Sequence, residues 1–398
     1  MLRDVVIVDA IRTPVGTMGG TLKDVQPEEL GRIVTKELLN RTKIDPAMID
    51  EVILGQVKIS ADAPNIARTV ALLAGIPIEV PSYVVSRQCG SGLQAIMNAV
   101  QQIQCGLADI IVAGGTESMS NAIYYLRKAR YGYKAGNDVL VDSNTESQFR
   151  SQPEEMFGHF NMGMTAENVA EKYNISREEQ DLFGFNSQQK AWAAIKSGRF
   201  KEEIVPVPVP QRKGDPIIFD TDEHPRETSL EKMAKLPPVF KEGGTVTAGN
   251  SSGRNDGAAV VLVMSAEKAQ ELGYKPMAII RSQAAAGVDP RYMGIAPVYA
   301  TQKALERAGL TLDQIGLIEL NEAFAAQSLA VIKLAGFNPD IVNVNGGAIA
   351  LGHPLGATGA RLMTTLLYEM RRRKVKYGLC TLCIAGGLGL AMVVEGCY

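Results

Sequence analysis

The chain has 398 residues, a formal net charge of −2, 46% hydrophobic residues and 21% charged residues. That length supports two or three domains around a well-buried core, and the composition is ordinary for a soluble globular protein. The balanced charge excludes the electrostatic footprint of a nucleic-acid or anionic-membrane binder. No apolar run approaches the roughly 20 residues of a membrane span.

In chain order, strands alternate with helical stretches, which predicts an α/β fold with largely buried sheets. Residues 4–10 read as a strand, 27–40 as a helix, 51–57 as a strand and 64–74 as a helix. Strand 82–87, helix 91–105 and strand 109–114 follow. Because the chain enters a strand at once, it is expected to carry no presequence. The region 119–248 is more polar and holds the Pro-rich run Val205–Pro210, which suggests a loop domain inserted into the α/β body. Residues 258–264 resume the apolar strand pattern.

The last third repeats the first. Ala278–Ala284 reads like residues 4–10, Ala296–Ala308 like 27–40, and Leu317–Leu320 like Glu51–Leu54. The stretch Ile341–Asn345 is expected to be a strand leading to His353, as Tyr83–Gln88 leads to Cys89. Gly386-Gly387 ends strand 378–384 as Gly114-Gly115 ends 109–113. This predicts two similar halves related by a pseudo-twofold, with Cys89 and His353 at comparable helix starts. The expected division is 1–118 plus 249–270, an insert 119–248, and 271–398.

Cys89 sits at a strand-to-helix turn, where Gly90 and Gly92 are expected to permit a tight, strained backbone. A free cysteine is ordinarily a small buried apolar residue. At a helix N-terminus, however, the thiolate is favoured, and the pKa is expected to fall toward neutrality. Gly90-x-Gly92-x-x-Ala95 also fits a loose dinucleotide fingerprint. That reading fails because Asp109 lies before its strand, at the wrong end. Only three histidines exist, at 159, 224 and 353. The repeat sets His353, in Gly352-His353-Pro354, opposite Cys89, and a Cys–His pair is the simplest way to activate a thiol.

The remaining cysteines are at 105, 380, 383 and 397. With no secretory signal, reduced thiols and a cytoplasmic chain are expected. Cys380-x-x-Cys383 lacks the second pair or the histidines that zinc requires. Strand alternation sends these two to opposite faces, with Cys383 nearer the Ala385-Gly386-Gly387 loop. Asn321 reads as a helix N-cap whose amide alternatively holds a water near a developing oxyanion. Thr247–Gly253 reads as a turn, or as a ligand-facing loop without the Gly-Lys-Ser/Thr of a phosphate loop.

Taken together, these segments resemble the thiolases across nearly the whole chain. The matching motifs are Asp9–Pro14, Gln88–Gly92, Ala113–Ser120, Thr165–Asn168, Thr247–Asn250, Asn321–Ala325, Gly352–Pro354 and Cys383-Ile384. Their order and spacing look like the short-chain, biosynthetic branch. The resemblance implies a layered αβαβα fold and a two-step reaction of coenzyme A thioesters, acyl transfer to sulfur and then Claisen condensation of two acetyl-CoA. In that reading Cys89 takes the acyl group and His353 accepts its proton. His353 and a water held by Asn321 form one oxyanion site, the N–H groups of Cys89 and Ala385 the other, and Cys383 moves the α-proton.

By motif, Ser252, Ala248 and Gly249 run along the pantetheine, and Phe240 and Arg226 lie near the adenosine diphosphate. Met162, Met293 and Phe324 wall the acyl pocket. No metal or redox cofactor is implied, and the segment Tyr124–Lys134 implies a homotetramer built as a dimer of dimers. Two positions depart from the family pattern: Ala385 stands where glycine is usual, and Asn161 where short-chain members often have histidine. The competing readings are a degradative 3-ketoacyl-CoA thiolase with a longer pocket, a non-catalytic acyl-CoA-binding relative, and a carrier-dependent condensing enzyme.

Overall fold

The computed structural model describes residues 2–398. Apolar, β-branched runs form nine strands: β1 (Val5–Arg12), β2 (Glu51–Gly55), β3 (Ser82–Val85), β4 (Ile110–Ser118), β5 (Asn255–Ser265), β6 (Ala278–Gly287), β7 (Leu317–Leu320), β8 (Tyr377–Ile384) and β9 (Leu388–Gly396). Their order is β7-β8-β9-β6-β1-β5-β4-β2-β3, with the short strand Gly16–Thr17 added on β5. Only Val6↔Ile279 and Ile7↔Ala278 join β1 to β6, so the sheet is two half-sheets meeting at a narrow seam. In one half β3, β2 and β4 run parallel while β5 and β1 are antiparallel. In the other, β7 and β8 run parallel while β9 and β6 are antiparallel. Strands β1, β2, β4 and β5 therefore correspond to β6, β7, β8 and β9.

The helices used below are α1 (Pro27–Thr42), α2 (Ile66–Ala74), α3 (Ser91–Gln104), α4 (Ser143–Phe149), α5 (Met162–Tyr173), α6 (Arg177–Lys196), α7 (Ala296–Ala308), α8 (Ala325–Ala335) and α9 (Leu355–Arg373). Strand alternation explains the layering. Ile7 and Ile53 face inward with Leu93 and Ile96 of α3, Leu362 and Leu366 of α9, and Leu382 and Leu390 of the second half. Val6, Val8 and Leu54 face outward and are covered by α1 and α2. Ala284 and Leu320 face outward on the other side, under α7 and α8. The result is αβαβα, with α3 and α9 sharing the central layer. Burying each large aliphatic side chain contributes about 1.5–3 kcal/mol. No helix among the described residues is long and apolar enough to cross a membrane.

The expected strand over Ile341–Asn345 does not form. A single bridge, Ile318↔Val342, stands in its place. The physical reason is Asn343, which adopts φ 45°. Its Oδ1 accepts from the Leu320 N–H at 2.8 Å and its Nδ2 donates to the Leu320 carbonyl at 2.8 Å. One side-chain amide thus takes both hydrogen bonds that a neighbouring strand would have made.

Between β4 and β5 the chain carries two small hairpins, Tyr124–Leu126 with Leu140–Asp142 and Val207–Val209 with Ile217–Phe219, besides α4, α5 and α6. The Pro-rich run is therefore paired through its valines. This region is tied to β1 by buried Arg12, which donates to Glu203 at 2.7 Å and to both oxygens of Asp222 at 2.7 and 3.0 Å. Removing one partner of such a buried ion pair costs about 3–5 kcal/mol.

Candidate active site

The turn after β3 is strained two residues earlier than the glycines suggest. Gln88 has φ 44°, whereas Gly90, the residue capping α3, has φ −88°. Ser91 stabilises the turn: its Oγ accepts from the Arg87 N–H at 2.9 Å and donates to the Gln88 carbonyl at 2.7 Å. The glycines serve close packing instead. A Cβ on Gly90 would strike Ile384, and one on Gly92 would lie 2.7 Å from the Gly356 carbonyl oxygen. The starts of α3 and α9 can therefore touch, which brings Cys89 and His353 to one place.

His353 precedes α9, after Gly352 at φ 97°. Its N–H donates to Asn255 Oδ1 at 2.9 Å, and its Nδ1 lies 2.7 Å from Thr358 Oγ1. The Thr358 hydroxyl already donates to the Pro354 carbonyl at 2.8 Å. It must therefore accept from Nδ1–H, which assigns the tautomer and leaves Nε2 as the free base. Asn321 Nδ2 lies 3.5 Å from that Nε2. Asn321 does not cap α8, as the sequence suggested. The helix starts at Ala325 with Phe324 in the cap position, and Asn321 is fully buried beside the imidazole.

Cys383 lies near the end of β8 and is buried. The β8–β9 turn continues through Gly386 and Gly387 at φ 87° and 82°. Ahead of it, the Ala385 N–H lies close enough to the Cys89 sulfur to favour its thiolate, as does the N–H of Cys89 itself. Cys380 faces the central core cluster, on the other side of the strand. Cys89, His353, Cys383 and Ala385 line one cavity of about 160 Å³, walled by Met119, Met162, Phe240, Met293, Phe324 and Leu355. Ser252 is on this wall too. Ala248, Gly249 and Arg226 are not; they line a neighbouring cavity of about 180 Å³ with His224 and Leu236. Asn161 caps α5, its side chain accepting from the Met164 N–H at 3.0 Å. His159 stacks on Phe149 and lies outside the cavity lining.

The electrostatics differ from the sequence expectation. Burial pushes the Cys89 thiol up to about 11, against the pull of the Ala385 and Cys89 N–H groups and of Lys58. Removal from water outweighs the helix start, so the resting sulfur is a protonated thiol. Burial, aided by the Arg361 cation, pushes His353 down to about 3, so its imidazole is neutral. Burial and the nearby Cys89 both push the Cys383 thiol up. The site thus holds two neutral thiols and a neutral imidazole with its lone pair free, the protonation states from which a proton passes from sulfur to Nε2.

Sequence reasoning missed several parts. Thr358 and Asn255 fix His353, and only the position of Thr358 one helical turn beyond Pro354 offered a signal. Buried Glu117 accepts from the N–H groups of Val57 at 3.0 Å, Lys58 at 3.1 Å and Gly356 at 2.9 Å, joining β4 to the end of β2 and the start of α9. Asn144, Ser147 and Gln148 of α4, with Ser151 and Arg254, form a polar wall of the cavity.

The sequence matches the family described as "Thiolase, N-terminal domain" over residues 5–267 and "Thiolase, C-terminal domain" over residues 274–396. It is 55% identical to the acetyl-CoA acetyltransferase of Syntrophomonas wolfei, over 99% of this chain and 100% of that one. Its fold matches the crystal structure of the Bacillus anthracis acetyl-CoA acetyltransferase with a TM-score of 0.96 at 45% identity, covering 99% of both chains. Human mitochondrial 3-ketoacyl-CoA thiolase in complex with CoA matches with a TM-score of 0.94 at 44% identity, over 100% of this chain and 98% of that one.

Proposed function

The chain belongs to the thiolase family, and from that premise we propose that it catalyses the reversible Claisen condensation of two acetyl-CoA into acetoacetyl-CoA and CoA, the acetyl-CoA C-acetyltransferase reaction. The observation that carries this reading is the convergence of Cys89, His353 and Cys383 on one cavity. In the first step the Cys89 thiol gives its proton to His353 Nε2 and its sulfur attacks the thioester carbonyl. The N–H groups of Cys89 and Ala385 receive the developing oxyanion. His353 passes that proton to the departing sulfur, coenzyme A leaves as its thiol, and the acetyl group rests on Cys89.

In the second step Cys383 first gives its own proton to the free His353 Nε2, and the resulting thiolate takes the α-proton of another acetyl-CoA. The enolate oxygen is held by the His353 Nε2–H and by a water on Asn321, the carbanion attacks the acetyl-Cys89 carbonyl, and the Cys89 sulfur leaves and takes a proton back from His353. A thioester suits both steps, since its α-proton is more acidic than an ester's and its thiolate leaves readily. Ala385 in place of glycine keeps the N–H donor on which the first oxyanion site depends.

Coenzyme A thioesters enter as substrates. Ser252 and Phe240 on the catalytic cavity, and Ala248, Gly249 and Arg226 on its neighbour, support a coenzyme lying across both. Met162, Met293 and Phe324 bound the acyl group. The chain divides into 1–118 with 249–270, the insert 119–248, and 271–398, a division favoured by β5 pairing within the first half. The exposed side chains Tyr124, Leu126, Tyr131 and Tyr133 support tetramer contacts through the insert. Five free cysteines accord with a cytoplasmic location.

The test is thiolysis across graded substrates. The reading expects kcat/KM for acetoacetyl-CoA to exceed that for 3-oxoacyl-CoA of eight to ten carbons. A clear preference for the longer chain would assign the degradative activity instead.

A further inference from the structure

The mechanism above needs charge on the Cys89 sulfur, yet burial opposes it and His353 is neutral. One cation stands where it can help. Lys58 follows β2, whose last residue abuts the Cys89 turn: a Cβ on Gly55 would lie 2.5 Å from the Ser91 carbonyl carbon and 2.6 Å from Gly92 N. The Lys58 backbone is fixed by its N–H to Glu117. Its ammonium donates to the Ser147 Oγ at 2.6 Å and to the Ser143 carbonyl at 3.0 Å, which fastens it to α4. Ser147 lies on the cavity wall with Cys89. An ammonium has three donors, so one remains beyond these two bonds.

We propose that Lys58 is a positioning residue for the nucleophile: its ammonium, held on α4 while Glu117 fixes its backbone, offsets the negative charge that gathers on the Cys89 sulfur. The charged and titratable groups facing Lys58 are Glu117 from β4, Asp142 from the hairpin before α4, Arg254 from the loop before β5, and Cys89. Those facing the Cys89 sulfur are Lys58, Glu117, Cys383 and His353, and Arg254 lines the same cavity. Glu117 opposes the thiolate, while protonated Cys383 and neutral His353 add no charge. Of the two cations, Lys58 is the one whose charge favours the Cys89 thiolate. Its ammonium is the charged form at neutral pH, although burial pulls its pKa down. The proposal rests on Cys89 being the nucleophile and adds a residue that the two-step scheme does not name.

The test is the rate of peptide-resolved alkylation of Cys89 by iodoacetamide at pH 7 to 8, where Lys58 is an ammonium and the rate follows the small thiolate fraction. The reagent reads the thiolate without substrate, and acetoacetyl-CoA thiolysis is measured beside it. Lys58→Met and Lys58→Gln are both used, so that one misfolded variant does not decide the matter. Both are expected to slow alkylation at this pH by roughly 3–10-fold. The sign follows from removing a cation, which makes the thiolate costlier. Lys58→Arg is expected to restore most of the wild-type rate. Unchanged rates in folded Met and Gln variants, or a Lys58→Arg loss as large as theirs, would overturn the proposal. A wild type that alkylates as expected but shows no thiolysis defeats the proposed reaction alone.

Discussion

The two halves deliver their reactive groups from the same place, the start of a central-layer helix, by different local means. In the first half a true strand, β3, leads into the turn, and Gln88 alone carries the left-handed strain. In the second, no strand forms; Asn343 clasps Leu320 with both amide atoms, and Gly346 and Gly352 supply φ 81° and 97°. The first turn presents a sulfur to backbone N–H donors. The second holds an imidazole between Asn255 and Thr358 and buries it. The duplicated backbone places two groups face to face, and local side-chain hydrogen bonds decide which chemistry each performs.

The comparison breaks most severely if either turn loses its group. Cys89→Ser is expected to lower acetoacetyl-CoA thiolysis by roughly 10⁴-fold or more, with thermal stability near wild type. His353→Ala is expected to cost roughly 10³-fold. Next comes the β8 end. Cys383→Ala is expected to lower overall turnover by roughly 10²–10⁴-fold while acyl transfer to Cys89 persists, which rapid-quench measurement of the two half-reactions can separate. Equal loss of both halves would show that Cys383 does not belong to the second step alone.

Smaller effects sharpen the contrast between the two approaches to the helix starts. Asn343→Ala strands the Leu320 N–H and carbonyl without their partner, and urea unfolding is expected to show about 2–4 kcal/mol of lost stability. A change under half that would mean the amide clasp does not replace the missing strand. Gln88→Gly releases the left-handed strain at no steric cost and is expected to raise stability by about 0.5–1 kcal/mol if the turn keeps its shape.

The alternation of strands and helices, and the pairing of Cys89 with His353, were legible because both rest on periodicities and on a repeated order of elements. Ile341–Asn345 was misread because its apolar residues carry a strand pattern, while Asn343 makes its bonds to Leu320 by side chain. The Cys89 turn was misread in a similar way. Gly90 and Gly92 advertise backbone freedom, but the space they leave is used by Ile384 and Gly356 from the distant second half. The thiol's rise rather than fall also came from long-range burial, which no local motif reports. Thr358, Asn255, Glu117 and Lys58 escaped notice because each is an ordinary polar residue until the fold brings its partner near.

The most direct measurement is the site of acylation. The wild-type chain, mixed briefly with acetyl-CoA, quenched in acid and digested, is expected to carry a labile acetyl group on the peptide holding Cys89. His353→Ala is expected to lose that label. Acetyl found on Cys383 with Cys89 unmodified, or no acyl-enzyme at all in a turning-over sample, would contradict the account.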